Sequence, residues 1–431
     1  MNEKIQIIFG LLGGLAVFIY GMNMMSECLQ KAAGDKMKSI LALLTKNPLL
    51  GVLAGALTTA VLQSSSATTV MAIGFVSAGL MNLPQAISII FGANIGTTMT
   101  AQIIAFKISD YIYVIIFIGF LISFVTKSEK VKSIGQTIFA FGLLFLGIET
   151  MGDVMKPLAS SPVFTDLIGR VAHIPVLGVA VGTVMTLVVQ SSSATIAVLQ
   201  NFASQPGPDG VTSILGLAGA IPILLGDNIG TTITALLASI GQSKDAKRTA
   251  VAHCIFNISG CFLFIWFVKP FAALIQNISP KGPEIEAISR QIANAHTVFN
   301  ITMTLIWVCL IKLMVKIVMT LIPDGKKGVE DPGSPIYLDE NIISQPAAAL
   351  QLVAKEIFRM SDQVGDILKK TIELVKNEEV KSIDGLKENG KQVERLGKCI
   401  TEYLAALFSS GSLTEQQAAQ TASLKIGRAH V

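Results

Sequence analysis

The chain has 431 residues, of which 51% are hydrophobic and only 14% are charged. A water-soluble globular domain typically carries about 25% charged residues, so the composition excludes a wholly soluble globule and indicates a membrane protein in contact with the lipid bilayer. The net charge of +4 is small and lies mostly in short segments between apolar stretches, as in membrane topology signals. No nucleic-acid partner is therefore expected.

Seven stretches predict membrane-spanning helices, because a crossing needs about 20 mainly apolar residues. The first has a single nearby base and no small-residue cleavage site, so we interpret it as an uncleaved helix rather than a signal peptide. The predicted spans are 5–25, 85–106, 110–126, 134–155, 212–240, 249–268 and 292–322.

Two further apolar stretches, 49–80 and 176–204, are each interrupted by a polar cluster. The clusters are Gln63-Ser-Ser-Ser-Ala-Thr68 and Gln190-Ser-Ser-Ser-Ala-Thr195. Each half of a stretch is then shorter than the roughly 20 residues that a crossing needs. We therefore predict two re-entrant helical hairpins with the polar clusters at their tips.

The two clusters belong to a long internal repeat. Gln63 and Gln190 are 127 positions apart, and after an insertion around 205–210 the segment Gly92-Ala-Asn-Ile-Gly-Thr-Thr98 recurs as Gly226-Asp-Asn-Ile-Gly-Thr-Thr232. Two polar motifs that recur in order within apolar sequence are a strong repeat signal. The predicted units are repeat one at about 5–126, repeat two at about 134–268 and a final helix at about 292–322.

Counting crossings predicts how the repeats are oriented. Three spans, and a hairpin that adds zero or two crossings, separate residue 5 from its counterpart at 134, so the total is odd. The repeats are then inverted, as in many secondary transporters. One face of the membrane receives twelve Lys and Arg before the tail, and the other face receives seven. The face richer in Lys and Arg is expected to be cytoplasmic. This predicts an inner-membrane protein with its N-terminus outside and its tail in the cytoplasm.

The hairpin tips predict an anion site. Three Ser and a Gln inside hydrocarbon are costly unless protein, water or ligand satisfies them. Ser64 to Ser66 and Ser191 to Ser193 can cap the second arm of each hairpin, and a helix N-terminus carries about half a positive charge and binds anions. Close helix packing by small residues is the alternative, but it does not explain two copies of each motif.

The second motif predicts cation sites beside the anion. We expect Asn94-Ile-Gly96 and Asn228-Ile-Gly230 to break their helices, with Thr97, Thr98, Thr231 and Thr232 capping the restarted halves. Carbonyl, Asn and Thr oxygens at such breaks suit Na⁺, which takes hard oxygen ligands. Asp227 replaces Ala93 of the first copy and is interpreted as a cation ligand or coupling charge rather than the partner of a Lys or Arg.

A shorter repeated motif places His and Asn four residues apart on two helices. His253 and Asn257 recur as His296 and Asn300. Hydrogen bonding between helices is the favoured interpretation, and a proton or gating role is the alternative. Glu149 is equally compatible with packing against a hairpin and with binding.

The tail predicts a separate helical unit, because residues 323–431 hold 30 of the 62 charges. We divide the chain into a membrane domain over 1–322, a linker over 323–340 and a cytoplasmic helical domain over 341–424. Apolar residues at spacings of three and four predict helices at 346–376, at 380–409 and from 414 onward. Asp362 and Asp366 lie one turn apart and are interpreted as a solvated acidic face rather than a metal site.

The last residues, 425–431, break the amphipathic pattern before them. They resemble the translation of a sequencing-adapter oligonucleotide, so we expect an artefact here and an incomplete tail domain. A genuine short C-terminus is the alternative.

The paired motifs resemble the type II sodium/phosphate cotransporter family in its bacterial form, which is often fused to a cytoplasmic PhoU-like domain. The resemblance covers about 5–322, and the segment at 346–360 resembles the first helix of a PhoU-like domain. It implies Na⁺-coupled symport of inorganic phosphate by alternating access, with no cofactor, Na⁺ as the coupling ion and a cytoplasmic regulatory partner for the tail. The insertion at 205–210 and Asp227, where the family commonly has a small residue, depart from the family pattern.

By this resemblance, residues 63–66 and 190–193 line the phosphate site. The predicted fold class is an all-α polytopic membrane protein with inverted repeats, each with a re-entrant hairpin and a broken helix, plus a cytoplasmic bundle. The substrate-binding residues are predicted to be Gln63, Ser64, Ser65, Ser66, Thr68, Gln190, Ser191, Ser192, Ser193 and Thr195. The sodium-binding or coupling residues are predicted to be Asn94, Thr97, Thr98, Asp227, Asn228, Thr231 and Thr232.

Three other functions stay open at this point. The chain could carry another small oxyanion or export phosphate, or it could bind phosphate as a membrane sensor without transporting it. An enzyme with a Ser nucleophile is disfavoured, because such a Ser needs a neighbouring base and no His lies near either cluster in the sequence. We therefore expect no enzymatic activity.

Overall fold

The computed structural model describes most of the chain as helices. The described residues are 3–33, 47–77, 81–106, 108–159, 169–171, 173–207, 209–323, 333–338, 340–343, 346–376, 383–410, 413 and 415–429. Within these ranges the β contact is limited to an isolated bridge between Pro206 and Ser213.

The helices follow the repeat. The first half contains α1 (Glu3–Ala33), α2 (Pro48–Leu62), α3 (Ser65–Ser77), α4 (Leu83–Ile104) and α5 (Ile112–Val125). The second half contains α6 (Glu129–Ala159), α7 (Pro175–Val189), α8 (Ser192–Ala203), α9 (Gly216–Gly230), α10 (Thr232–Ala238) and α11 (Lys244–Phe264). They are followed by α12 (Val268–Ile278), α13 (Glu284–Cys309) and α14 (Ile311–Leu321), and in the tail by α15 (Pro346–Lys376), α16 (Ile383–Ser409) and α17 (Glu415–Ala429).

Six helical segments of the described chain are long and apolar enough to cross a bilayer. This confirms an all-α polytopic membrane protein. The segments are Gln6–Leu29, Leu83–Ile104, Glu129–Met155, Gly216–Ala238, Lys244–Ile278 and Glu284–Cys309.

Two predicted spans differ from the structure. The span at 110–126 contains α5, which has 14 residues, fewer than the roughly 20 that a crossing needs. The crossing count relied on this span, so the inverted orientation stays a prediction. The final helix at 292–322 is two helices, because the backbone leaves the helical region at Leu310 and α14 turns its own apolar residues, among them Met314 and Val318, into the core.

The two hairpins are α2 with α3 and α7 with α8, and the helix after each hairpin packs along its first arm. Thus α2 lies on α4, and α7 lies on α9, while α1 lies on α6. The helices α4, α9, α11 and α13 surround one apolar core, in which the rings of Phe91 and Phe256 stack with centroids 5.0 Å apart. This arrangement holds the two polar motifs inside the protein.

The tail helices contact the membrane part at the first hairpin. The predicted bounds 346–376 agree with α15, and the second predicted helix agrees with α16 from Ile383, since 377–382 lie outside the described residues. Ile342 and Leu350 belong to one apolar core with Met71 and Phe75 of α3. The backbone of α17 continues to Ala429, and the origin of 425–431 stays a prediction.

Candidate functional site

Each hairpin turns at its predicted polar cluster. Gln63 and Gln190 end the first arms in the left-handed region, with φ of 51° and 55°. The Ser64 and Ser191 hydroxyl oxygens each accept the amide three residues later at 3.2 Å. The predicted Ser N-caps of the second arms are therefore confirmed, and the two tips have the same backbone construction.

The segments that carry the two tips contain no Lys or Arg. Residues 47–106 contain no Lys or Arg, and neither do residues 171–243. The first amides of α3 and α8 contribute positive potential at each tip, equivalent to about half a unit charge. An anion that loses its water here would bind amide and hydroxyl donors.

The first tip contacts both halves of the protein. The Thr100 hydroxyl of α4 donates to Gln63 Oε1 at 2.9 Å, and the Gln63 amide donates to the Ala60 carbonyl at 2.6 Å. From the second half, Thr234 Oγ1 of α10 lies 3.3 Å from Ser66 Oγ. The first cluster is thus touched by a helix of the other repeat.

A threonine pair braces each hairpin just below its tip. Thr59 Oγ1 and Thr68 Oγ1 are 2.9 Å apart in the first hairpin, and Thr186 Oγ1 and Thr195 Oγ1 are 3.0 Å apart in the second. All four side chains are buried. Sequence reasoning placed Thr68 and Thr195 at the site but missed their partners Thr59 and Thr186, which are also 127 positions apart in the repeat.

Asp227 is joined to the second threonine pair. The carboxylate is fully buried, and its Oδ1 accepts a hydrogen bond from Thr186 Oγ1 at 2.6 Å. Its Oδ2 has no hydrogen-bond partner among the described residues. A buried carboxylate oxygen without a donor calls for an explanation, and the cation role of Asp227 stays a prediction.

The predicted helix break at the second motif is wrong for the first repeat. The helix α4 runs unbroken from 83 to 104, and the Thr98 hydroxyl donates to the Ile95 carbonyl of its own helix at 2.8 Å. In the second repeat the interruption between α9 and α10 is confined to Thr231, whose backbone stays helical, and the Thr232 hydroxyl donates to Ile229 in the same way. These hydroxyls do not cap restarted halves.

The glycines of the motif serve close packing instead. A Cβ built on Gly92 would overlap the Val52 carbonyl oxygen of α2, and one built on Gly226 would overlap the Val179 carbonyl oxygen of α7. Small residues of this kind let helix backbones approach each other in a bilayer. The packing interpretation is therefore correct for these glycines, while the Asn side chains beside them remain polar and buried.

His253, His296 and Asn300 contact the motif asparagines, whereas the Asn257 amide donates to the His253 carbonyl of its own helix. His253 Nε2 of α11 lies 3.1 Å from Asn94 Oδ1 of α4, and His296 Nε2 of α13 lies 3.3 Å from Asn228 Oδ1 of α9. The Asn300 amide also lies 3.5 Å from Asn228 Oδ1. The favoured prediction of hydrogen bonding between helices is confirmed.

The predicted sodium residues do not form one compact set. Asp227 bonds to α7, whereas Asn228 bonds to α13, as expected for neighbours about 100° apart around a helix axis. Asn94 bonds to α11 and Thr97 is buried on α4. The side-chain oxygens of these residues are thus spread around the two motif helices.

Three acidic residues outside the motifs lie in different environments. Glu149 Oε2 is buried on α6 without a hydrogen-bond partner among the described residues. Asp362 and Asp366 lie exposed on α15, and the described part of the chain contains no group of three His, Cys, Asp or Glu that could hold a metal ion. The exposure of Asp362 and Asp366 favours the interpretation of a solvated acidic face.

This architecture defines a multi-pass helical membrane protein with paired hairpin sites, and the comparisons give its family. The family model described as Na⁺/Pi-cotransporter matches residues 17–153 and, a second time, residues 147–279. The matches cover more than half of the chain, which therefore belongs to the Na⁺/Pi-cotransporter family. The family is one of transport proteins, which agrees with the expectation that the chain is not an enzyme.

Relatives span bacteria and mammals. The uncharacterized protein YqeW of Bacillus subtilis is 35% identical over 61% of this chain and 83% of its own length. The putative inorganic phosphate export protein YjbB of Salmonella typhimurium is 24% identical over 92% of this chain and 70% of its own. The sodium-dependent phosphate transport protein 2A of Rattus norvegicus is 39% identical over 22% of this chain and 15% of its own. No solved structure gives a significant match.

Proposed function

We propose that the protein is a Na⁺-coupled symporter of inorganic phosphate that works by alternating access. Membership of the Na⁺/Pi-cotransporter family and the names of its relatives support phosphate as the substrate and Na⁺ as the coupling ion. Phosphate and Na⁺ are both cargo, so no resident cofactor is required.

The observation that carries the proposal is the pair of equivalent hairpin tips. Each offers the amides of a partly buried helix start and a run of three serines, in a segment without Lys or Arg. Such a site can bind a dehydrated anion and can release it again, because neutral donors bind an anion less strongly than a paired cation does. The proposed phosphate ligands are the residues of the two clusters, from Gln63 to Thr68 and from Gln190 to Thr195.

The cation part of the proposal rests on oxygen atoms around the motif helices. Asp227 Oδ2 and Asn300 Oδ1 are buried and lack partners among the described residues, and hard cations prefer such oxygens. The proposed Na⁺ or coupling residues are Asn94, Thr97, Thr98, Asp227, Asn228, Thr231 and Thr232.

Alternating access is proposed from the repeat. Two similar halves of opposite orientation can exchange conformations, which opens the site first to one side and then to the other. The orientation that we propose has the N-terminus outside and residues 341–424 in the cytoplasm as a PhoU-like regulatory domain that binds a cytoplasmic partner. The contact between α15 and α3 supports a connection from that domain to the first hairpin.

Uptake by purified protein in proteoliposomes tests the proposal. We expect radiolabelled phosphate to accumulate when an inward Na⁺ gradient is imposed and not when K⁺ replaces Na⁺. Vesicles reconstituted without protein are the control. Uptake that is indifferent to the Na⁺ gradient would contradict coupling, and saturable phosphate binding without uptake would indicate a sensor.

Phosphate export is the second candidate, since the relative that aligns with 92% of this chain is named a putative inorganic phosphate export protein. The same vesicles, loaded with labelled phosphate, separate the two directions. Efflux that exceeds uptake at equal and opposite Na⁺ gradients would favour export. Competition by arsenate, sulfate and dicarboxylates would rank other oxyanions.

A further inference from the structure

With the Asp227 carboxylate ionised, the hydroxyl hydrogens below the second hairpin tip have only one consistent direction. Thr186 has a single hydroxyl hydrogen, and its Oγ1 lies 2.6 Å from Asp227 Oδ1 and 3.0 Å from Thr195 Oγ1. A carboxylate oxygen that is not protonated can only accept, so Thr186 donates to Asp227. Thr195 must then donate to Thr186, and the chain of hydrogen bonds runs from Thr195 to Asp227.

The first hairpin has the opposite direction. Ala93 stands where the second repeat has Asp227. Thr59 donates to Thr68 at 2.9 Å, and Thr68 Oγ1 lies 3.2 Å from the Ser64 carbonyl oxygen at the tip. The hydrogen bonds therefore run toward the tip in the first repeat and away from it in the second.

This reversal has a chemical consequence at the second tip. Thr195 lies in the first turn of α8, one turn after the Ser191 N-cap. Because its hydroxyl hydrogen is directed to Thr186, the hydroxyl is not available to the Ser191 carbonyl as its counterpart is to Ser64. Thr186, Thr195 and Asp227 are at most 1% exposed, so solvent does not compete for these bonds.

We propose that Asp227, Thr186 and Thr195 form a hydroxyl relay that couples cation binding at Asp227 to anion binding at residues 191–193. This rests on the proposed function and adds the route of coupling to it. A cation on the free Oδ2 draws electron density from the carboxylate and weakens its hold on the Thr186 hydroxyl. Thr195 can then turn its hydrogen toward the tip, as Thr68 does. Thr186 and Thr195 are positioning residues in this scheme, and the relay exists only in the second half.

The test measures how strongly Na⁺ lowers the phosphate KM in proteoliposomes. The ratio of KM at low Na⁺ to KM at saturating Na⁺ is compared for the wild type, Thr186→Val, Thr186→Ser and Thr59→Val. Coupling between two sites typically amounts to roughly 5- to 150-fold. We expect Thr186→Val to bring the ratio close to one, Thr186→Ser to restore it, and Thr59→Val, the same change in the first half, to keep it.

The outcomes separate the relay from the symport proposal. A wild-type protein without Na⁺-dependent uptake overturns the symport function itself. A Na⁺-dependent wild type whose ratio is unchanged in Thr186→Val overturns the relay alone, as does an equal loss in Thr59→Val. Should Thr186→Val fail to fold in detergent, Thr195→Val breaks the relay at its other link and must give the same loss of the ratio.

Discussion

His253 of α11 holds Asn94 of α4 through a contact of 3.1 Å between Nε2 and Oδ1, across 159 positions of the chain. Both side chains are buried, so water cannot take the place of either hydrogen-bond partner. The bond fixes the plane of a carboxamide that belongs to the second polar motif. Its repeat-equivalent, Asn228, is held in the same way by His296 of the next long helix.

The first prediction concerns this bond. His253→Leu should lower the stability of the protein by about 1 to 3 kcal/mol, because it leaves a buried carboxamide oxygen without its donor. His253→Gln, which keeps a donor, should lose less. Thermal unfolding in detergent measures both, and His173→Leu at an exposed position is the control. Equal midpoints for His253→Leu and the control would show that the bond contributes nothing.

The second prediction concerns the buried carboxylate. Asp227→Asn keeps an oxygen that can accept from Thr186 but removes the negative charge and the free Oδ2. A hydrogen bond or contact to a charged group is worth about 1.5 to 3 kcal/mol, so we expect the Na⁺ concentration at half-maximal uptake to rise roughly tenfold or more, with a smaller change in the phosphate KM.

The matched control for that change is Asp209→Asn, in the loop after α8. Asp209 is the other acid of the segment 171–243, and its carboxylate bonds to Thr212 within the exposed loop. The Asp209→Asn variant should show the same Na⁺ dependence of uptake as the wild type. If the two variants behave alike, Asp227 is a packing residue and Na⁺ must be sought among the Asn and Thr oxygens.

The third prediction concerns the caps of the hairpin tips. Removal of a Ser N-cap costs about 0.5 to 2 kcal/mol, and the same amides are proposed to bind phosphate. Ser64→Ala and Ser191→Ala should therefore each weaken phosphate affinity, roughly three- to tenfold. Ser204→Ala, whose hydroxyl bonds to Gln200 at the far end of α8, should not. Phosphate KM values at saturating Na⁺ decide between these outcomes.

The fourth prediction concerns the close approach of helices. Gly226→Ala should unfold the protein or lower its unfolding temperature strongly, since the added methyl group would overlap the backbone of α7. Gly13→Ala is the control, because a Cβ there meets nothing within 4 Å and Ala suits a helix better than Gly by about 1 kcal/mol. A tolerated Gly226→Ala would mean that the two helices can separate at low cost.

The fifth prediction concerns the junction between the membrane part and the tail. Glu356 is fully buried, accepts the amides of Ile336 and Tyr337 at 3.0 and 2.6 Å, and pairs with Arg359. In Glu356→Gln the side-chain NH₂ group replaces one of the oxygens that accept from the Ile336 and Tyr337 amides and from Arg359. The loss of these bonds should release residues 333–338. Limited chymotrypsin digestion should then cut at Tyr337 sooner than in the wild type.

Exposed Glu373 of the same helix provides the control as Glu373→Gln. Cleavage at equal rates in the two variants would show that Glu356 does not hold the linker.

The hairpins, their caps and α15 were predictable because their signals are local. An apolar stretch with a polar cluster at its middle leaves two arms that are too short to cross, and Ser after a left-handed turn is a common N-cap. Pro346 at the first position and a continuous apolar stripe define α15. None of these inferences needs to know what lies on the other side of the molecule.

The glycines and the hydroxyl partners were not predictable in this way. A Gly in an apolar segment can supply an unusual dihedral or admit a neighbouring backbone, and the choice for Gly92 depends on α2, 40 residues earlier. Thr59 meets Thr68 only once the hairpin has closed. His253 meets Asn94 only once α11 has packed on α4. Each of these contacts belongs to the tertiary structure rather than to any one segment.

The contact of the tail with α3 connects the first polar tip to the tail through a single helix. The helix α3 has 13 residues from Ser65 to Ser77 and so is about 20 Å long. One end forms the first polar tip, and the other end lies in the apolar core that holds Leu350. A tilt of α3 at the tip would therefore displace the tail, and a pair of spectroscopic labels at Val76 and Leu350 would report that displacement.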